Sequence, residues 1–451
     1  MKIKFLGATG TVTGSKYLIT TEQSHLLVDC GLFQGYKNLR ERNREPFAFD
    51  VASIDAVALT HAHLDHSGMI PLLYKNGYRS PVYCSQATFE LCKLLLPDSG
   101  YLQEEEARFR NKHKLTRHEP ALPLYDLKDA KASLSLFRPV EFSETVVVKD
   151  LTLSFDSVGH ILGASRISLS DGHKKVIVSG DVGRTNDPVM YPPKPLADCD
   201  VLLLESTYGN RLHDPAKTEE TLAQIVNDTA ANGGSILIPS FAIGRAQSLT
   251  FVLSELIKTK KIPKLPIFLD SPMAISASDI YCRFNREHRL SDQQCEQMCE
   301  LVEYTKEVEQ SKQLAKIKYP HIIISASGMA TGGRVLHHLN RFLPDHKNTV
   351  VFAGYQAGGT RGQKLVNGHS SVKIFGREVG VQANIRELTG FSAHADYQEM
   401  IDWIKNSNIS EPKRTFIVHG EADASDEFRL HLRDQLGWQA VVPDYKNEYK
   451  I

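Results

Sequence analysis

The sequence predicts an α/β protein of two domains, and three observations carry that prediction. At 451 residues the chain exceeds the size, roughly 250 to 300 residues, at which a single hydrophobic core stops growing. Short continuous apolar runs at 236–238, 267–269, 322–324 and 350–352 are each followed by a plausible helix. That alternation marks a mainly parallel sheet covered on both faces. Other apolar runs end abruptly in histidine, aspartate or glutamate, so strands deliver reactive side chains at their ends.

The 53 Lys and Arg residues balance 53 Asp and Glu residues. No global basic footprint exists, and any electrostatic grip on nucleic acid has to come from a local cleft. Seven cysteines are scattered without a C-x-x-C pair, which suggests a reducing, cytoplasmic setting. Cys295 and Cys299 stand four residues apart on a predicted helix; ordinary packing is the favoured reading over metal binding. The N-terminus lacks an apolar leader core and no stretch approaches 18 uninterrupted apolar residues, so no membrane partner is expected. A homodimer is left open by the sequence.

Taken in order, residues 1–30 alternate short strands with glycine turns and run into Asp29-Cys30-Gly31. An aspartate there can simply cap a turn. The run 54–60 reads as a buried strand feeding His61-Ala62-His63-Leu64-Asp65-His66. Three imidazoles and a carboxylate on one loop are the donors that zinc takes, and clustering them lowers the entropy lost in assembling a site. A solvated histidine cluster would need neither the strand nor the fixed aspartate. Ser67 is expected to cap a helix running to Asn76, with Gly77 stopping it. A strand at 81–84 and an amphipathic helix at 86–96 follow. Residues 102–118 change from acidic (Glu104, Glu105, Glu106) to basic (Arg108, Arg110, Lys112, Lys114, Arg117), the order a helix macrodipole favours.

The strand 151–158 ends at Gly159-His160, and the strand 175–179 at Gly180-Asp181. Alone, each is a weak signal. The buried strand 201–204 ends in Glu205-Ser206-Thr207. In the following α/β stretch, Gly- and Ser-rich loops at strand ends offer Arg245, Ser325, Ser327, Gly328, Tyr355 and Arg361. Backbone N–H groups, hydroxyls and arginines in such loops suit phosphate, with ordinary turns as the alternative. No Walker A or G-x-G-x-x-G pattern occurs, so no nucleotide cofactor is expected. Finally, His394 lies in Gly390-Phe391-Ser392-Ala393-His394-Ala395-Asp396 and His419 in Ile417-Val418-His419-Gly420-Glu421.

The H-x-H-x-D-H pattern after a strand resembles the signature of the metallo-β-lactamase superfamily. His160, Asp181, Glu205, His394 and His419 follow in the order of its β-CASP branch, the nucleases with an inserted second domain. The resemblance spans essentially the whole chain. It implies an αββα sandwich (1–208 and 386–451) interrupted by a β-CASP α/β domain (209–385). It also implies two zinc ions, one on His61, His63 and His160 and the other on Asp65, His66 and His419, bridged by Asp181 and supported by Asp29. Asp65, Glu205 and His394 are its implied catalytic residues, with His394 as general acid and Glu205 orienting and charging it. Histidine at position 419 goes with RNA-processing members, so single-stranded RNA is the expected substrate and endonucleolytic hydrolysis the expected reaction. The rival readings are 5′-to-3′ exonuclease action, a DNA nuclease of the same branch, a small-molecule metallohydrolase, and an RNA-binding scaffold without turnover.

Overall fold

A computed structural model describes residues 1–114, 120–213 and 215–451, without the side chains of residues 215–217. It divides into two compact units, one of residues 1–185, 192–212 and 394–451, the other of residues 186–191 and 213–393.

The first unit is built on two seven-stranded sheets. One runs Glu448–Lys450, Lys2–Phe5, Tyr17–Thr20, His25–Val28, Ala56–Ala58, Val82–Ser85, Phe137–Val140. The other runs Ala440–Val441, Arg414–Val418, Val201–Glu205, Lys175–Val178, Ser165–Ser170, Leu151–Ser157, Thr145–Val148. Their inner faces share one apolar layer in which Ile3, Phe5, Val28 and Ala58 meet Leu153, Phe155, Val178, Leu203 and Phe416. The other face of the second sheet (Ile177, Leu202, Leu204, Ile417) is covered by Met400, Ile401, Trp403 and Ile404 of the helix Tyr397–Ser407 and by Phe428 and Leu432 of Ala422–Leu436. Side chains on a strand alternate between faces, so Val201–Glu205, buried at every position, reads as an unbroken apolar run. The first sheet carries Gln86–Lys112 against Val82–Ser85 and Phe137–Val140, and Ile70–Lys75 packs with the helix Leu127–Ser133. The architecture is an αββα sandwich.

The second unit is a parallel sheet of six strands in the order Val302–Tyr304, Ile267–Asp270, Ile322–Ser325, Ile236–Pro239, Thr349–Phe352, Asn384–Glu387. Each of the four predicted apolar runs is a strand followed by a helix. Alternate residues feed two cores: Ile236, Leu269 and Ile324 pack with the helix Arg245–Lys258, while Leu237, Ile323 and Phe352 pack with Val335–Phe342 and the hairpin Ser371–Ile374/Arg377–Gly380.

Two local expectations are corrected. Ser67 is not an N-cap: a one-turn helix, Leu64–Ser67, begins inside the histidine motif, and the Ser67 hydroxyl donates back to the carbonyls of Ala62 (2.8 Å) and His63 (3.1 Å). The second short helix, Ile70–Lys75, does stop before Gly77, which has φ +97°. The separate helices at 86–96 and 102–118 are one helix, Gln86–Lys112, that runs through Pro97. An internal proline costs roughly 3 kcal/mol. Burial of Leu91, Leu95 and Leu96 on one side of it and Ala107 on the other keeps the helix continuous. Arg117 lies outside the described residues. Among the described residues no helix is long and apolar enough to cross a membrane.

Candidate metal centre

Strand ends in the first unit bring the predicted ligands together. In the first sheet His25–Val28 and Ala56–Ala58 are parallel neighbours, so Asp29 and the loop beginning at Thr60 leave the sheet side by side. In the second sheet Lys175–Val178, Val201–Glu205 and Arg414–Val418 are parallel neighbours, with Val178 opposite Leu203 and Glu205 opposite Val418. Their C-terminal ends therefore present Asp181, Glu205 and His419 at one edge. His160 follows Leu151–Ser157, and the segment carrying His394 is pinned by the Ala395 N–H donating to the Val182 carbonyl at 2.8 Å.

Two donor sets result, and they share one carboxylate. His63 Nδ1 lies 3.1 Å from His61 Nε2 and 3.3 Å from His160 Nε2, and Asp181 Oδ2 is 3.5 Å and 3.6 Å from those same Nε2 atoms. His66 Nε2 lies 3.1 Å from His419 Nε2, which is 3.6 Å from Asp65 Oδ2, and the other Asp181 oxygen is 3.2 Å from His66 Nε2. Four ligands held at the Zn–N distance of about 2.0–2.1 Å in a tetrahedron stand roughly 3.3 Å apart. The observed nitrogen separations match that edge.

Polar satisfaction gives an independent test of the fit. Both oxygens of Asp181 are buried, and neither accepts a hydrogen bond. An ionised carboxylate in that state is costly unless a cation sits against it. Burial on its own would push the Asp181 carboxyl up, yet His419, His66 and His61 hold it well below the usual range. Burial lowers His61 far below its ordinary pKa and takes His63 down to about 4, so both rings offer lone pairs at neutral pH. His66 differs: burial is outweighed by Asp181 and Asp29, and its pKa is raised. The residues present fit a metal cofactor.

Supporting contacts fix the rings. Asp29 Oδ2 accepts from His66 Nδ1 at 2.7 Å and from the Thr60 hydroxyl at 2.9 Å, and its Oδ1 accepts from the Thr60 N–H at 2.7 Å. This leaves His66 Nε2 for a metal. Thr60 Oγ1 also lies 3.1 Å from His61 Nδ1, and Thr207 Oγ1 lies 3.2 Å from His419 Nδ1. Sequence reasoning missed both threonines; their one signal was a hydroxyl beside a ligand at a strand end. Asp29 and His419 both adopt positive φ (58° and 52°), turning each side chain back toward the sheet edge.

His394 Nδ1 is 2.9 Å from Glu205 Oε1. Glu205 is itself anchored, accepting the Val182 N–H at 2.7 Å and the Thr207 N–H at 3.1 Å. Burial opposes a charge on His394, but Glu205 and then Asp181 raise its pKa above the ordinary value. Its Nε2 points to the metal cluster, 4.0 Å from Asp181 Oδ2.

The loop residues predicted for substrate contact all lie in the second unit. Hydrogen bonds from Gln356 Nε2 to the Gly328 and Gly354 carbonyls (3.3 and 3.2 Å) draw the two loops together. The Arg245 guanidinium lies against Gly354, where an added Cβ would sit 2.2 Å from it. Two of the set spend their donors on main chain: Ser325 on the Asp270 carbonyl, and Arg361 on the carbonyls of Lys373 and Ala330. Ser327 accepts from the Thr331 N–H at 3.2 Å, and Tyr355 is half-buried.

Comparison with known proteins agrees with this architecture. Residues 9–219 match the metallo-β-lactamase superfamily, 246–365 the Beta-Casp domain, and 378–443 a Zn-dependent metallo-hydrolase RNA specificity domain. The chain is 37% identical over 435 residues to a ribonuclease of Thermus thermophilus, covering 94% of each chain. It is 32% identical over 444 residues to transcription termination factor FttA of Methanosarcina mazei (94% of this chain, 67% of that one). It is 30% identical over 446 residues to an RNase J-like protein of Methanocaldococcus jannaschii (98% and 97%). A crystal structure of a protein of unknown function from Enterococcus faecalis V583 shares the fold, with TM-score 0.54, 14% identity and 99% of both chains covered. The chain belongs to the β-CASP branch of the metallo-β-lactamase superfamily, as a metal-dependent nuclease.

Proposed function

We propose that this protein is a zinc-dependent endoribonuclease acting on single-stranded RNA. One observation carries the reading: a buried carboxylate, Asp181, stands between two histidine-rich donor sets, with the Glu205–His394 pair beside it. His61, His63 and His160 would hold one zinc ion, Asp65, His66 and His419 a second, and Asp181 would touch both. Such ions, when bound, supply a water of lowered pKa as nucleophile and offset charge on the phosphoryl group. The remaining work falls to the chain's own side chains. Glu205 occupies Nδ1 of His394 and favours its charged form, leaving Nε2 to hand a proton to the departing 3′-oxygen. The downstream product then carries a 5′-phosphate. Arg245, Ser325, Ser327, Gly328, Tyr355 and Arg361 are the proposed substrate-contacting loops. Within them Ser325 and Arg361 brace main chain, which leaves Ser327, the Gly328 backbone, Tyr355 and Arg245 as the groups proposed to contact RNA.

RNA as substrate is supported by the ribonuclease relative and by the RNA specificity match over 378–443, which includes both His394 and His419. The test is cleavage of a long 5′-labelled single-stranded RNA beside the same sequence as DNA, with and without a chelator. Internal fragments from RNA alone, abolished by the chelator and restored by added zinc, are expected. Labelled mononucleotides would replace the endonuclease reading with 5′ exonuclease action, and equal cutting of DNA would remove the RNA assignment.

A further inference from the structure

The second unit holds a cluster of thiols that the metal centre does not use. Cys282 lies at the end of the helix Pro272–Arg283, and Cys295 and Cys299 lie on Asp292–Leu301. The sulfurs of Cys282 and Cys299 are 3.7 Å apart, and both residues are half-buried, whereas Cys295 is buried. Among the described residues these thiols form no group converging tightly enough for three to share an ion, so a pairwise reaction is the chemistry open to them.

We propose that Cys299 and Cys282 form a hydroperoxide-oxidisable pair, with Cys299 the attacked thiol and Cys282 the resolving one, closing to an intrachain disulfide between the two helices. The Cys299 thiolate attacks the terminal oxygen of the hydroperoxide. The O–O bond breaks, the alcohol or water leaves after taking up a proton, and Cys299 becomes a sulfenic acid. The Cys282 sulfur then attacks that sulfur, an S–S bond forms, the S–O bond breaks, and the Cys282 proton leaves with the hydroxide as water.

Two features favour this order. The Cys282 and Cys299 sulfurs lie in hydrogen-bond contact at 3.7 Å, and the Cys282 thiol there lowers the Cys299 thiol against the opposing effect of burial. Cys299 lies in the last turn of its helix, where the macrodipole disfavours a thiolate, and the Cys282 thiol opposes that effect. The resolving sulfur is already in van der Waals contact and needs side-chain rotation to bond. Cys84 and Cys92, buried with thiols pushed up by desolvation, serve as internal controls.

The test is peptide mapping by mass spectrometry of the full-length, metal-loaded protein after reduction, desalting and exposure to hydrogen peroxide. The expected result is a linked pair of peptides containing Cys282 and Cys299 and a thiol count lower by two, with Cys84 and Cys92 unmodified. Cys299→Ser should form no link. Cys282→Ser should leave a sulfenic acid on Cys299 that a cyclic dione captures. Retention of all seven thiols in wild type, a Cys282–Cys295 link instead, or first modification at Cys84 or Cys92 would overturn the proposal. Because the wild-type map needs no variant and no RNA, the outcome is independent of the ribonuclease reading.

Discussion

Single side chains at this site divide into those that offer a donor atom and those that aim one. Asp29 aims: Asp29→Asn removes the charge and leaves one acceptor oxygen, enough for the Thr60 N–H, while an NH2 donor replaces the oxygen that holds His66 Nδ1 and the Thr60 hydroxyl. Loss of such an orienting carboxylate typically costs about 10–100-fold in metal affinity. Competition with a chromophoric chelator should show that drop, and unchanged affinity would return Asp29 to a turn-capping role. His394 differs, because it is absent from both donor sets while sharing the locality of Asp181. With the general-acid role proposed for it, His394→Ala should lower kcat by about 10²–10⁴-fold, with bound metal per chain unchanged. Activity surviving at wild-type level would remove His394 from the chemistry; metal lost with the activity would make it a ligand instead.

At the scale of elements, the site depends on loops that approach more closely than any side chain allows. A Cβ at Gly31 would lie 1.5 Å from the Asp65 carbonyl oxygen. Around it the Cys30 N–H donates to the His66 carbonyl at 2.7 Å and the Leu32 N–H to the Leu64 carbonyl at 2.8 Å. Gly31→Ala must therefore push the one-turn helix carrying Asp65 and His66 off the sheet. Overpacking of this kind costs typically 1–3 kcal/mol, and chemical denaturation together with metal analysis should show lower stability and less than full metal. Gly380→Ala is the control, since nothing lies within 4 Å of its added Cβ, and a change within about 0.5 kcal/mol is expected. The same elements show what a sequence can convey. Each predicted ligand stood on a loop that an apolar run feeds, and a strand end is where a parallel sheet exposes chemistry. Thr60 and Thr207 were not legible, since a threonine just past a strand end is ordinary until a ring nitrogen is placed beside it. Pro97 concealed a continuous helix because local propensity lost to burial on both sides of it. Ser325 and Arg361 carry the residue types of a phosphate loop, but their main-chain partners come from strands distant in sequence.

For the molecule as a whole, the metal centre is only one of the places where buried charge is held. Asp270, at the end of Ile267–Asp270, is fully buried. It accepts from Arg334 Nη1 at 2.7 Å, His338 Nε2 at 2.6 Å and the Ser311 hydroxyl at 2.6 Å. These donors come from two separate stretches, Ser311 on the helix Val308–Leu314 and Arg334 with His338 at the helix Val335–Phe342, so one carboxylate ties the strand Ile267–Asp270 to both. Burial would raise the Asp270 carboxyl, but the hydrogen bonds from His338, Ser311 and Arg334 win and its pKa is lowered. A carboxyl whose folded pKa lies below its unfolded value contributes stability that is present above the unfolded value, about 3.9 for aspartate. That contribution is lost as pH falls through the folded value. Asp270→Asn should therefore cost about 3–5 kcal/mol near neutral pH, the range for breaking a buried ion pair by removing one partner. The gap between variant and wild type should narrow as pH falls below about 4, because acid neutralises in the wild type the charge that the variant already lacks. Denaturant unfolding of the metal-loaded protein at a series of pH values measures both. A gap that stays constant down to the acid transition would mean that the carboxylate acts through its shape and neutral hydrogen bonds, with no contribution from its charge.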